Sequence, residues 1–283
     1  MAPLTDWIGR SEERRDHLAV QPCRFMQATL GHEPTLAKGD ALPQLWHWLY
    51  FLEAKPLHQL GRDGHPTKGE FLPPVSLPRR MWAGGRFEFH LPLILGKDVT
   101  KRSTIKSISE KEGRSGSLCF VTVAHEVFQD GALAMTEEHD IVYREDPSQA
   151  APKAAPKAAP KAAAKAAPTD ASFSETVQPS EVMLFRYSAL TFNGHRIHYD
   201  SAYAQQVEGY EGLVFHGPLT ATLLVDLARR QTGRMPRAFE FRGTAPLSGL
   251  PAFHIEGRDE GQGTVLWARR WDGALAMTAQ ALF

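Results

Sequence analysis

Seven residues occur twice in this chain. Asp130-Gly131-Ala132-Leu133-Ala134-Met135-Thr136 returns unchanged as Asp272-Gly273-Ala274-Leu275-Ala276-Met277-Thr278. A shorter echo precedes each copy, Phe87-Glu88-Phe89 and Phe239-Glu240-Phe241, each followed by a proline (Pro92, Pro246). Two echoes in one order point to an internal duplication whose first copy is about ten residues longer between them. Each Asp-Gly lies between apolar stretches and reads as a hairpin turn. Leu118–Val127 leads into one hairpin and Thr264–Arg270 into the other.

Each half also carries an apolar helical pattern ahead of its strands. Leu45, Trp48, Leu49 and Leu52 give the i, i+3, i+4, i+7 spacing in the first half. Leu219, Leu223, Leu224 and Leu227 do so in the second, with Gly233 as the stop. A helix followed by long antiparallel strands, twice over, predicts an α+β chain in which a curved sheet wraps a central helix. Between the halves, Ala150–Ala167 alternates Ala, Lys and Pro. Prolines at that spacing break a helix, so an extended, solvated linker is expected. The division is then residues 1–145, a linker at 146–170, and residues 171–283.

The chain's 283 residues suffice for two cores. Its 32 basic and 32 acidic residues leave no positive excess for phosphate backbones, against a nucleic-acid partner. Cys23 and Cys119 form no CxxC pair, so neither a structural zinc nor a disulfide framework is expected. Asp6, Glu12, Glu13 and Asp16 make the N-terminus too acidic for a signal peptide. No long apolar run predicts a membrane span, and a cytoplasmic location is expected.

Chemistry concentrates in Thr191–Asp200, where Asn193, His195, His198 and Asp200 share ten positions. Val214-Phe215-His216-Gly217-Pro218-Leu219 follows and opens a helix whose unpaired N–H groups suit an anion. Nothing as dense occurs in the first half. That half instead has a Gly- and Pro-rich insertion, Ala54–Arg80, with Lys55, Arg62, Lys68, Arg79 and Arg80. So long a loop either contacts ligand, an anionic one by its charge, or is mobile. His195-x-x-His198 with His216 could suggest a metal, but the spacing lacks the matching helix, and no metal is expected.

Tyr187–Asp200 and Glu208–Leu219 together resemble the second half of the MaoC-like acyl-thioester dehydratases. The nearest branch comprises type 2 hydroxyacyl-thioester dehydratases with mesaconyl- and itaconyl-CoA hydratases. The likeness is specific over Val182–Leu224 and looser at Met81-Trp82-Ala83-Gly84-Gly85, which resembles the FAS1-like dehydratase domain. It implies a double hotdog and reversible addition of water across the α,β double bond of an acyl thioester. It implies no cofactor beyond the CoA of the substrate.

In that family a catalytic Asp precedes the catalytic His by five residues; here that position is Asn193, with His195 at the intervening Asn. An amide can orient water but cannot take a proton. The resemblance therefore assigns acid–base work to His198, helped by His195, water holding to Asn193, and thioester-oxygen binding to the Gly217 N–H. Tyr199 and Asp200 are expected to anchor the loop.

The expected substrate is a short branched dicarboxylyl-CoA of the itaconyl or mesaconyl kind, related to citramalyl-CoA, its second carboxylate met by Arg79, Arg80 or Arg242. Rival readings are a 3-hydroxyacyl-CoA or acyl-carrier dehydratase of fatty-acid metabolism and a non-catalytic acyl-CoA-binding subunit. A thioesterase using Asp226 is a weaker one. The chain could act as a monomer or a homodimer.

Overall fold

A computed structural model describes residues 3–113, 116–146 and 165–283. The elements run β1 (Ser11–His17), α1 (Val20–Thr29), β2 (Arg79–Phe89), β3 (Asp98–Gly113), β4 (Gly116–Gln129) and β5 (Ala132–Arg144) in the first half. The second half gives β6 (Phe173–Val177), α2 (Glu181–Leu190), α3 (Ser201–Gln206), α4 (Gly217–Thr232), β7 (Ala238–Gly243), β8 (Phe253–Asp259), β9 (Gly263–Arg269) and β10 (Leu275–Leu282). All ten strands form one antiparallel sheet, β1-β3-β4-β5-β2-β7-β10-β9-β8-β6. This is the double hotdog.

The duplication is visible at the centre of the sheet. The two Phe-Glu-Phe echoes are the β2–β7 junction, where Phe87 pairs with Phe239. The backbones close tightly there: a Cβ on Gly84 would stand 2.6 Å from the Phe241 carbonyl oxygen, so only glycine fits. The longer repeat builds one device twice. Each copy bulges at its central alanine, Ala134 or Ala276. The bulged carbonyl accepts two N–H bonds from the end of the crossing strand. These come from His90 and Leu91 at 2.8 and 3.0 Å, and from Thr244 and Ala245 at 2.8 and 3.2 Å.

Identical residues nevertheless turn differently. Asp130 and Gly131 both take positive φ, 51° and 80°, which is a two-residue type I′ turn. In the second copy only Gly273 does so, at 82°, and the Arg270 N–H reaches the Ala274 carbonyl at 2.9 Å across a three-residue loop.

α4 forms as its apolar spacing predicts. Pro218 sits in its first turn, Gly233 ends it at φ 66°, and Leu219, Leu224 and Leu227 are fully buried against the sheet. The matching first-half helix does not form. Leu45 and Phe51 take positive φ (67° and 57°), and between them Trp46–Leu49 makes only one 3-10 turn. Of the expected stripe, Leu45 and Leu49 are buried and Trp48 half-buried, but Leu52 is exposed, and Trp46, which lies off the stripe, goes inside in the folded-over loop. The linker expectation also needs correction at its end. The Leu275 N–H donates to the Lys165 carbonyl at 2.7 Å, and Ala167 N–H to Gly273 at 3.0 Å, so 165–167 lie against β10. The rest of the linker lies outside the described residues.

Candidate active site

Where the first half lacks its helix, a cavity of about 720 Å³ opens, lined from both halves. Its second-half wall is the stretch after α2. Phe192 takes φ 49°, and the Asn193 N–H folds back onto the Ser188 carbonyl at 2.8 Å. The Asn193 Oδ1 accepts the His195 N–H at 3.0 Å, which orients the amide and leaves its NH₂ without a partner among the described residues. Tyr199 and Asp200 anchor the loop. The Tyr199 hydroxyl donates to Gly194 O at 3.0 Å, and Asp200 caps α3 while pairing with Arg196 at 2.7 Å.

The 3-10 turn Arg196–His198 then carries His198 inward. Its Nδ1–H donates to the Val214 carbonyl at 2.7 Å, which fixes the tautomer and leaves the Nε2 lone pair free. The His216 ring stacks behind it at 3.6 Å, with Nε2 on Ser188 Oγ at 2.9 Å. Burial pushes His198 down to about 4 and His195 to about 2, with neighbouring imidazoles adding to both. Both are neutral at pH 7. Gly217 opens α4 at the cavity wall, and its N–H meets no acceptor among the described residues. A Cβ there would meet no atom within 4 Å, so the cavity is open on the side chain's side of Gly217.

The first half contributes more than its sequence signalled. The insertion docks residues 61–65 on the second-half loop: Arg196 N–H donates to Asp63 O at 2.9 Å, and Arg196 Nη1 to Arg62 O at 3.1 Å. Gly64 takes φ 87°, and a Cβ on it would lie 1.9 Å from the Gly194 oxygen. This crossing delivers His65 to the cavity, its ring 4.3 Å from that of His195. Asp63 Oδ2 accepts from His65 Nδ1 at 2.9 Å. Burial alone would raise the Asp63 carboxyl, but the His65 N–H groups outweigh it and hold it well below the usual range. Donor atoms of Asp63, His65 and His195 lie within 4.8 Å of one another, close enough to share a cation or a proton. The direct Asp63–His65 bond favours the proton, and the Arg80 charge, which opposes protonation of both imidazoles, opposes a divalent cation more strongly still.

Of the three candidate arginines, Arg80 alone lines the cavity. No carboxylate pairs with it among the described residues. Arg79 is buried in an ion pair with Glu208 beside the Tyr210 hydroxyl, and Arg242 is exposed on β7; neither lines the cavity. Asp226 pairs with Arg229 and Arg230 at 2.8 Å and is also absent from the wall, which removes the carboxylate a thioesterase reading needs.

Further in, the sheet's inner face presents Lys101, His125, Glu137 and His139, with His47 from the loop. Glu137 accepts from His47 Nε2 at 2.9 Å and Trp48 Nε1 at 3.1 Å. Burial lowers His125 to about 3 and His139 to about 4. Glu137 and His139 alternate along β5, as one-face residues must, so the sequence held a signal for this cluster. Asp63-x-His65 held a weaker one inside a Gly-rich loop.

The family model described as hydroxyacyl-thioester dehydratase type 2 matches residues 45–249. A mesaconyl-C(4)-CoA hydratase of Chloroflexus aurantiacus is 46% identical over 274 residues, 96% of this chain and 95% of that protein. Among solved structures, a MaoC-like dehydratase from Phytophthora capsici superposes with a TM-score of 0.69 at 14% identity, covering 99% and 97% of the two chains. A conserved hypothetical protein of Mycobacterium tuberculosis described as a double hotdog has a TM-score of 0.57 at 13% identity, covering 97% and 96%. No helix among the described residues is long and apolar enough to cross a membrane.

Proposed function

We propose that this chain, which belongs to the hydroxyacyl-thioester dehydratase type 2 family and is a hydro-lyase, adds water to a short dicarboxylyl-CoA of the mesaconyl-C4 kind. In such a substrate the thioester carbonyl is followed by an α-CH, and the β-carbon bears a methyl and a carboxylate. Hydroxyl adds at Cβ, and a proton is delivered to Cα. The C=C electrons pass through the thioester as an enolate, whose oxygen falls to the Gly217 N–H, and the Asn193 NH₂ holds the water. A neutral imidazole takes the water's proton and returns it to Cα; His198, with Nε2 free, is the one the sequence nominates.

The observation that carries the substrate class is the wall of the cavity. An alkyl tail reaching inward would meet the Lys101 ammonium and the imidazoles of His125 and His139, and would strip from Lys101 the water it keeps with nothing in return, a cost of about 1–3 kcal/mol or more. A carboxylate on Cβ, by contrast, has an unpaired guanidinium at Arg80 near His65 and His195. The test follows loss of enoyl-CoA absorbance with mesaconyl-C4-CoA, itaconyl-CoA, crotonyl-CoA and a C8–C12 enoyl-CoA. Preference for the mesaconyl substrate is expected. His198→Ala should lower turnover about 10²–10⁴-fold, and Arg80→Met should lose the dicarboxylyl preference over crotonyl-CoA about 10–100-fold. Preference for the long chain would return the protein to fatty-acid metabolism. Acyl-CoA binding without turnover of any substrate would make it a binder.

A further inference from the structure

Resting on that reading, we infer that the base in this hydration is His65, held and charge-balanced by Asp63, so that the first half supplies the carboxylate function lost at Asn193. Three of the imidazoles lining the cavity cluster at the Asn193 loop: His65, His195 and His198. They differ in what stands behind them. His198 Nδ1 rests on a neutral carbonyl, Val214 O. The His195 ring makes no hydrogen bond among the described residues and lies between the other two, 4.3 and 5.4 Å from their rings. His65 Nδ1 alone is bonded to a carboxylate. When an imidazole accepts a proton in a dry site, a carboxylate on its far nitrogen fixes the tautomer and offsets the new charge. Of these three, His65 has that arrangement and the other two do not.

The architecture supports the placement. Asp63 also accepts the His65 backbone N–H at 3.1 Å, so the turn itself orients the pair. Arg62 is clamped to Asp146 at 2.6 Å, and the Gly64–Gly194 crossing locks the turn on the catalytic loop. The groups facing His65 are Asp63 from its own turn, Arg80 from β2, and His195 and His198 from the second half. Arg80 opposes protonation, and an anionic substrate group at Arg80 would relieve that opposition when substrate is bound.

The step balances without another reactant. One O–H bond of water breaks, its proton goes to His65 Nε2, and the oxygen bonds to Cβ. The same proton then passes from Nε2 to Cα as the enolate collapses to the thioester. The second O–H of the water donates to His198 Nε2, which thereby positions the water.

The experiment is the pH dependence of kcat/KM for mesaconyl-C4-CoA with wild type, Asp63→Asn, Asp63→Glu and His65→Gln, alongside thermal unfolding and acyl-CoA binding. His65→Gln should lose about 10²–10⁴-fold in kcat with KM little changed. In the wild type, activity falls as pH drops through the His65 pKa. Asp63→Asn removes the charge that raises that pKa, so its acidic limb should move to lower pH while kcat drops; Asp63→Glu should recover part of both. Folded variants with wild-type kcat, or an acidic limb that Asp63→Asn leaves in place, would overturn the inference and leave His198 as base. Activity abolished by a chelator and restored by Zn²⁺ would overturn it in favour of a metal at the same residues. A wild type inactive on every enoyl-CoA would sink both this and the proposed function.

Discussion

The two halves share a sheet design and diverge around a helix. Each has a strand and a short helix before its long strands, each carries the same bulge after its hairpin turn, and α1 packs on α2 across the junction. The second half fills its sheet with α4, burying Leu219, Leu224 and Leu227. The first leaves that space open and lines it with Lys101, His125, Glu137 and His139. One copy of a duplicated unit thus keeps the packed core, while the other gives up packing for room. The lost burial of a four-turn helix is substantial, several apolar side chains at about 1.5–3 kcal/mol each. The loop carrying Trp46 and Leu49 restores part of it.

If the helix-bearing half supplies the oxyanion donor, removing that donor should give the largest effect outside the catalytic imidazoles. Gly217→Pro deletes the N–H at a first-turn position that tolerates proline, and His216 at φ −65°, ψ 129° suits a following proline. Turnover should fall about 10²–10³-fold with the fold retained; circular dichroism and steady-state kinetics check it. Near-normal turnover would place the thioester oxygen elsewhere.

The division of labour also depends on the halves staying docked at the active-site loop. Gly64→Ala puts a Cβ into the Gly194 oxygen and forces alanine to φ 87°, costing about 1–3 kcal/mol. Denaturant unfolding should show that loss, and kcat should fall with it because the insertion can no longer seat His65. A stable variant with lowered kcat would sharpen the comparison further, by separating docking from folding.

The smallest effect concerns the open half alone. Burial would raise the Glu137 carboxyl, but the His47 hydrogen bond and the charges of His47, His125 and His139 hold it below the ordinary carboxylate range. Its contribution to stability is therefore present above the unfolded-state pKa of about 4.3 and is lost as pH falls below that value. Glu137→Gln should cost about 1–2 kcal/mol at pH 7 and flatten the acid limb of the stability curve, as read by thermal melts from pH 3 to 7. An unchanged acid limb would mean that the cluster is not part of the fold's support.

Local chemistry made much of this readable in advance. Asp-Gly turns, the alternation of β5, Pro218 and Gly233 bracketing α4, and the histidines of 193–198 are written within a few residues of each other. Backbone geometry ties such neighbours together whatever lies around them. The apolar stripe at Leu45–Leu52 shows the limit: its spacing suits a helix, yet a loop forms that buries Leu45, Leu49 and the off-stripe Trp46 and leaves Leu52 exposed. A periodic face is buried as a set only if the helix it assumes is the backbone that forms. Asp63-x-His65 left only a weak local sign, and its meeting with His195 left none. That meeting joins residues some 130 positions apart through one Gly–Gly crossing. The sequence by itself determined a duplicated sheet and one dense polar loop. Only tertiary structure decided that the emptier half would share one cavity with that loop, because which side chains meet there depends on how two surfaces come together.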